Sequence, residues 1–128
     1  MLRSHSFLLN KGGLNITASN LSHALELSVN INELAKMFPS MEVYNLSNQI
    51  RKAADSVVLN IAEGCTGQSN PEFNKFLGYS LRSAIEVVSC LFIARRKEYI
   101  DEAVFAGHYG AYEVLCKMIC KLRHSLIC

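Results

Sequence analysis

Cys116, Cys120 and His124 stand at i, i+4 and i+8, the spacing that puts three metal-ligating side chains along one face of a helix. Thiolate sulfur and imidazole nitrogen are good zinc ligands. Eight residues of straight helix span about 12 Å at about 1.5 Å per residue, too far for all three to hold one ion. A Cys116–Cys120 or Cys120–His124 half-site would need further ligands from another helix or chain. The competing explanation is packing, because free cysteine behaves as a small hydrophobe and is commonly buried. The five cysteines, Cys65, Cys90, Cys116, Cys120 and Cys128, are odd in number and contain no Cys-x-x-Cys pair. They are expected to be reduced thiols of a cytoplasmic protein, with no disulfide framework, metal or cofactor.

Catalytic groups are no better assembled. His5, His23, His108 and His124 are scattered, and neither a Gly-rich phosphate loop nor His-Glu-x-x-His occurs. Carboxylates occur singly rather than in the Glu-x-x-His pairs of di-iron bundles. The chain is therefore not expected to be an enzyme. Basic residues are the remaining candidates. Arg51 and Lys52 form one pair, and Lys75, Arg82, Arg95, Arg96 and Lys97 face a single acid, Glu86, between positions 75 and 97. Arg95, Arg96 and Lys97 suit a helix C-terminus, where positive charge offsets the macrodipole. The same seven residues can contact phosphates, with avidity if repeated around an oligomer. A net charge of +2 from 13 Lys+Arg and 11 Asp+Glu does not by itself demand a nucleic-acid partner.

Four amphipathic segments must position these groups. The first is expected from about Asn20 to Met37, with Leu21, Ala24, Leu25, Ser28, Ile31, Leu34, Ala35 and Phe38 inward and Pro39 as its stop. The second runs from about Val43 to Glu63 on the stripe Leu46, Ile50, Ala53, Val57 and Ile61. Gly64 follows where a left-handed C-cap is wanted. Ser69 and Glu72 form a capping box that opens the third, with Pro71 in its first turn. Its stripe, Phe73, Phe76 or Leu77, Ser80, Ala84, Val87, Leu91 and Ala94, holds a period near 3.5, which favours left-handed knobs-into-holes packing. Asp101 caps the fourth, which carries Val104, Phe105, His108, Tyr112, Leu115, Ile119, Leu122 and Leu126. Gly107 and Gly110 weaken it by about 1 kcal/mol each relative to alanine, so either a helix approaches closely there or the segment is loose.

At 128 residues with 50% hydrophobic composition, these segments predict one domain. The expected fold is an all-α, antiparallel up-down four-helix bundle of left-handed packing over residues 19–128. Residues 1–18 are expected to be a flexible arm. Its apolar patch, Phe7–Leu9, is too short for a signal peptide. No uninterrupted apolar run reaches the roughly 18 residues of a membrane span, so no membrane role is expected.

Within Ser56–Phe73, SVVLNIAEGCTGQSNPEF, Asn60 and Glu63 interrupt an apolar helix near its end. Both are expected to bond free backbone groups of the Cys65–Gln68 turn, or else to face a partner or ligand. The block from Gln49 to Gly64, QIRKAADSVVLNIAEG, resembles the hallmark of the bacterial four helix bundle protein family. These proteins are encoded by intervening sequences of large-subunit ribosomal RNA genes and often carry a ribosomal-protein name. A distant relative is the accessory protein of diversity-generating retroelements, which binds nucleic acid and a reverse transcriptase. Phe38-Pro39, Glu72-Phe73 and Phe76-Leu77 extend the resemblance, which covers about residues 21–126. Leu21, Asn32 and Leu59 depart from it, standing where tryptophan, tyrosine and a small residue are common. The resemblance implies a compact protomer, a homopentamer and no established enzymatic activity. The expected function is a homo-oligomeric binding or scaffold protein with electrostatic affinity for RNA or DNA. The alternative is a protein–protein adaptor with no nucleic-acid role.

Overall fold

A computed structural model describes residues 14–67 and 69–127. Four helices account for most of it: α1 (Leu14–Ala35), α2 (Leu46–Cys65), α3 (Asn70–Arg96) and α4 (Glu102–Ser125), with a short 3-10 turn at Ser40–Glu42. Residues 1–13 of the expected arm lie outside the described residues, while 14–18 form the first turn of α1. This start precedes the expected one because the inward positions there are polar. Thr17 and Asn20 are buried, and Asn20 Nδ2 donates back to the Ile16 carbonyl at 2.8 Å. An apolar period cannot report such a turn.

Helix ends follow the local chemistry, with one exception. Ser69 Oγ accepts from Glu72 N at 3.3 Å, and Asp101 Oδ1 accepts from Val104 N at 2.8 Å, so both expected N-caps form. The α3–α4 connection closes with Tyr99 N donating to Ala94 O and Glu98 N to Arg95 O, both at 2.9 Å. That is a Schellman pattern, and it places Glu98 at φ 64, a conformation that glycine usually supplies. The exception is α2, which starts at Leu46 rather than Val43. Glu42 turns inward before it and takes Leu46 N at 3.2 Å and Asn45 Nδ2 at 2.9 Å. A carboxylate at this end also suits the helix dipole.

Cross-links between helices establish the topology. Ser47 Oγ reaches Ala35 O and Ser28 Oγ reaches Asp55, so α1 and α2 run in opposite directions. Ser80 Oγ donates to Val57 O at 2.6 Å and Ser83 Oγ to Ser56 Oγ at 2.9 Å, which does the same for α2 and α3. Arg95 with Glu102 and Arg123 with Asn74 reverse α3 against α4. Side-by-side packing of α1–α2, α2–α3, α3–α4 and α1–α4 closes the circuit of an all-α, antiparallel four-helix bundle. All five α2 stripe residues are buried, and α3 buries Leu77 rather than Phe76. On α1 the expected Leu25 is exposed and Leu27 takes an inward place. Residues 24, 27, 28 and 31 follow helical steps, and the leucine at 25 lies outside them.

Two expectations about glycine change. Gly64 lies within α2, and the helix closes on Thr66 in right-handed conformation, with Thr66 N donating to Glu63 O. Its missing side chain serves packing instead. A Cβ there would stand 2.6 Å from Phe73 Cδ1 and 3.0 Å from Phe76 Cβ. Gly107 and Gly110 show the opposite, since nothing lies within 4 Å of a Cβ built on either. Close approach by a neighbouring helix of the same bundle is ruled out for them. Gly107→Ala and Gly110→Ala should each raise stability by about 1 kcal/mol, measured by urea unfolding.

Candidate nucleic-acid interface

The motif residues Asn60 and Glu63 make different, local contacts at the end of α2. Asn60 Nδ2 donates to Ser56 O at 2.9 Å and Ser56 Oγ at 3.0 Å, and Ser56 is joined to Ser83. Asn60 thus points back along α2 rather than into the turn that follows it, because Ser56 lies one helical turn earlier on the same face. Glu63 is exposed, and it is its carbonyl, not its carboxylate, that takes Thr66 Oγ1 at 2.7 Å.

The structure divides the seven basic candidates. Arg95 is a clamp: Nη1 reaches both Glu102 oxygens at 3.1 and 3.2 Å. Its guanidinium lies 3.9 Å from the Phe105 ring centroid and 5.2 Å from that of Phe92. A cation held on two rings and one carboxylate braces the α3–α4 corner. Lys97 Nζ lies 3.5 Å from Glu42 Oε2 at the opposite side of that corner. The other five have no carboxylate partner among the described residues. Lys52, Lys75, Arg82 and Arg96 are exposed, and Arg51 is half-buried. Lys75, Arg82 and Arg96 recur at multiples of seven residues, which keeps them on one face of α3. Seven residues of helix are about 10.5 Å, close to the roughly 12 Å width of a B-DNA major groove.

Sequence reasoning left out Lys117 and Lys121, which are exposed on α4 one turn apart. The signal was present, since positions 114–127 contain four basic residues, counting His124, and no carboxylate. Arg123 belongs inside, with Nε donating to Asn74 Oδ1 at 2.6 Å.

Beside these cations lies an apolar groove of about 620 Å³ between α3 and α4. Ile85, Val88 and Phe92 form one wall, and Tyr109, Tyr112 and Cys116 the other. Ile85 is 62% exposed and Phe92 44%. By length and composition α3 is apolar enough to cross a membrane, but 33% of that window is buried in the bundle. Its apolar character combines the core stripe with this outer row.

The cysteines behave as packing residues of graded exposure. Cys65 and Cys90 are buried, Cys116 is half-buried and Cys120 is exposed. Burial, helped by Glu86, pushes the Cys90 thiol up to about 11. Burial and then Cys120 raise that of Cys116, and burial lowers His108. No group of three His, Cys, Asp or Glu side chains is placed to hold a metal among the described residues.

Among curated proteins none matches the chain. A crystal structure from Bacteroides thetaiotaomicron VPI-5482, a protein of unknown function from the S23 ribosomal protein family, superposes with a TM-score of 0.79. The two are 24% identical over 85% of this chain and 98% of that one, a likeness that shows the shared fold. The family model described as 23S rRNA-intervening sequence protein matches residues 19–121, spanning the whole circuit from α1 to the last turns of α4. With the bundle and its QIRKAADSVVLNIAEG seam, that match makes this chain a member of the 23S rRNA-intervening sequence protein family.

Proposed function

We propose that this protein is a non-enzymatic, cytoplasmic scaffold that self-associates, as a pentamer, and contacts RNA or DNA through phosphates. The observation that carries the nucleic-acid reading is the line of exposed cations Lys75, Arg82 and Arg96 on α3, without carboxylate partners among the described residues. Lys52 and Arg51 on α2 extend it. Contacts of this kind neutralise backbone phosphates and are largely indifferent to sequence. Arg95 and Lys97 contribute by holding the corner from which Arg96 projects.

The test is a salt series of binding to structured RNA and duplex DNA. Neutralising Lys75, Arg82 and Arg96 together to glutamine should weaken binding and flatten the log K against log salt slope by about 2–3, one unit or slightly less per lost contact. Wild-type protein that fails to bind at low salt would overturn this reading. The α3–α4 groove favours a second one, an adaptor that docks protein, and such a result would leave it standing.

A further inference from the structure

We propose that the groove between α3 and α4 receives the outer face of α1 from a second copy of this chain. The inference deepens the self-association reading above and rests on it. The lining residues of α4 run from Tyr109 to Cys120. Eleven residues are about 16 Å, roughly three turns, which suits a docked helix better than an extended loop.

The outer face of α1 supplies an apolar ridge of matching kind. Leu25 and Val29 lie one turn apart and are 40% and 56% exposed, although both are aliphatic. An exposed apolar ridge and an open apolar groove are surfaces that associate.

Charge then selects partner and direction. Along α1 and the turn that follows it the exposed charges run Glu26, Glu33, Lys36, in the order acid, acid, base. Along α4, read backwards, they run Lys121, Lys117, Glu113, in the order base, base, acid. The two series span about 15 and 12 Å, a mismatch that long side chains absorb. An antiparallel approach thus matches all three pairs, with Val29 over the Cys116–Cys120 turn. Glu33 already meets Lys36 at 2.7 Å, but with side chains 67% and 69% exposed that pair is weak and exchangeable.

Other occupants fit less well. Residues 1–13 carry Arg3 and Lys11 and no carboxylate, so like charges would meet the lysines. A phosphate backbone offers nothing to an apolar floor. Ridge and groove lie on different faces of one copy, so the contact is head-to-tail and closes into a ring where its rotation allows.

Sedimentation of the full-length chain across a concentration series tests this. Wild type should assemble. Glu26→Lys with Glu33→Lys, or Lys117→Glu with Lys121→Glu, should weaken assembly about a hundredfold or more while circular dichroism stays helical. All four substitutions in one chain should restore it. In a second measurement, Val29→Cys should form an oxidised cross-link between copies that disappears with Cys116→Ser and Cys120→Ser. Wild type that stays monomeric would overturn the self-association reading, and this inference with it. Assembly that survives both charge reversals, or is not restored by the fourfold exchange, would overturn this interface alone.

Discussion

Replacing Gly64 by alanine is expected to destabilise the protein by up to about 2 kcal/mol, although alanine is the better helix former. The propensity gain is about 1 kcal/mol. Against it stands an added methyl group 2.6 Å from Phe73 Cδ1 and 3.0 Å from Phe76 Cβ. Phe73 is fully buried, and a Cβ cannot rotate away from its own backbone. Either α2 and α3 separate or Phe73 leaves its rotamer, and overpacking of this kind costs about 1–3 kcal/mol. The helices concerned form the most extensive pair of the bundle. Their seam also holds the Ser80–Val57 and Ser83–Ser56 bonds, so separation strains both. Urea unfolding of Gly64→Ala should show the loss, and combining it with Phe73→Leu should recover part of it. Equal stability of Gly64→Ala and wild type would remove the close-packing explanation. The contrast with Gly107 and Gly110 makes the point sharper, because the same substitution there is expected to have the opposite sign.

Glu42→Gln is expected to lower the melting temperature by several degrees at neutral pH and to flatten the acid limb of stability. Glu42 is 3% exposed and accepts from Tyr99 OH at 2.5 Å, Asn45 Nδ2 at 2.9 Å and Leu46 N at 3.2 Å, with Lys97 Nζ at 3.5 Å. Four donors converge on one carboxylate. A glutamine would present an amide N–H₂ to some of them, setting donor against donor in a buried site.

The hydrogen bond from Tyr99 is the largest influence holding the Glu42 carboxyl below its ordinary value of 4.5, and those from Leu46 and Asn45 and the charge of Lys97 add to it, against burial. A lowered folded pKa contributes stability that is present above the ordinary value and lost as pH falls through the folded one. Tyr99 is raised above its ordinary 10.0, first by its bond to Glu42. Its contribution is present below that value and lost as pH rises through the folded one. The pair is therefore strongest across the neutral range. Thermal melts of wild type and Glu42→Gln, carried from neutral into acid pH, should converge as Glu42 protonates. Parallel curves would show that Glu42 stabilises by shape alone.

Regular features were legible because they are local. Helical spacing on α2 and α3 depends on 3.6 residues per turn, and the caps at Ser69 and Asp101 depend on groups three residues apart. The misplacements share a cause. The first turn of α1 and the start of α2 after Glu42 each turn on a partner distant in sequence or on a polar group facing in. Tyr99, which fixes Glu42, is 57 residues away.

The candidate surface divides the same way. Lys75, Arg82 and Arg96 could be placed on one side of a helix by counting alone. That Arg95 is taken up by Glu102 and two aromatic rings could not, because Phe105 and Glu102 belong to the next helix.

By itself, then, the sequence determined the number of helices, their apolar faces, most of their ends and the family block at Gln49–Gly64, since each follows from neighbours within a few turns. Only the tertiary structure decided which cations stay unpaired, which glycine is needed for close packing, and that α3 and α4 leave an apolar groove between them. Those properties depend on distances between helices. Such distances are set by how side chains from all four elements fill a common core.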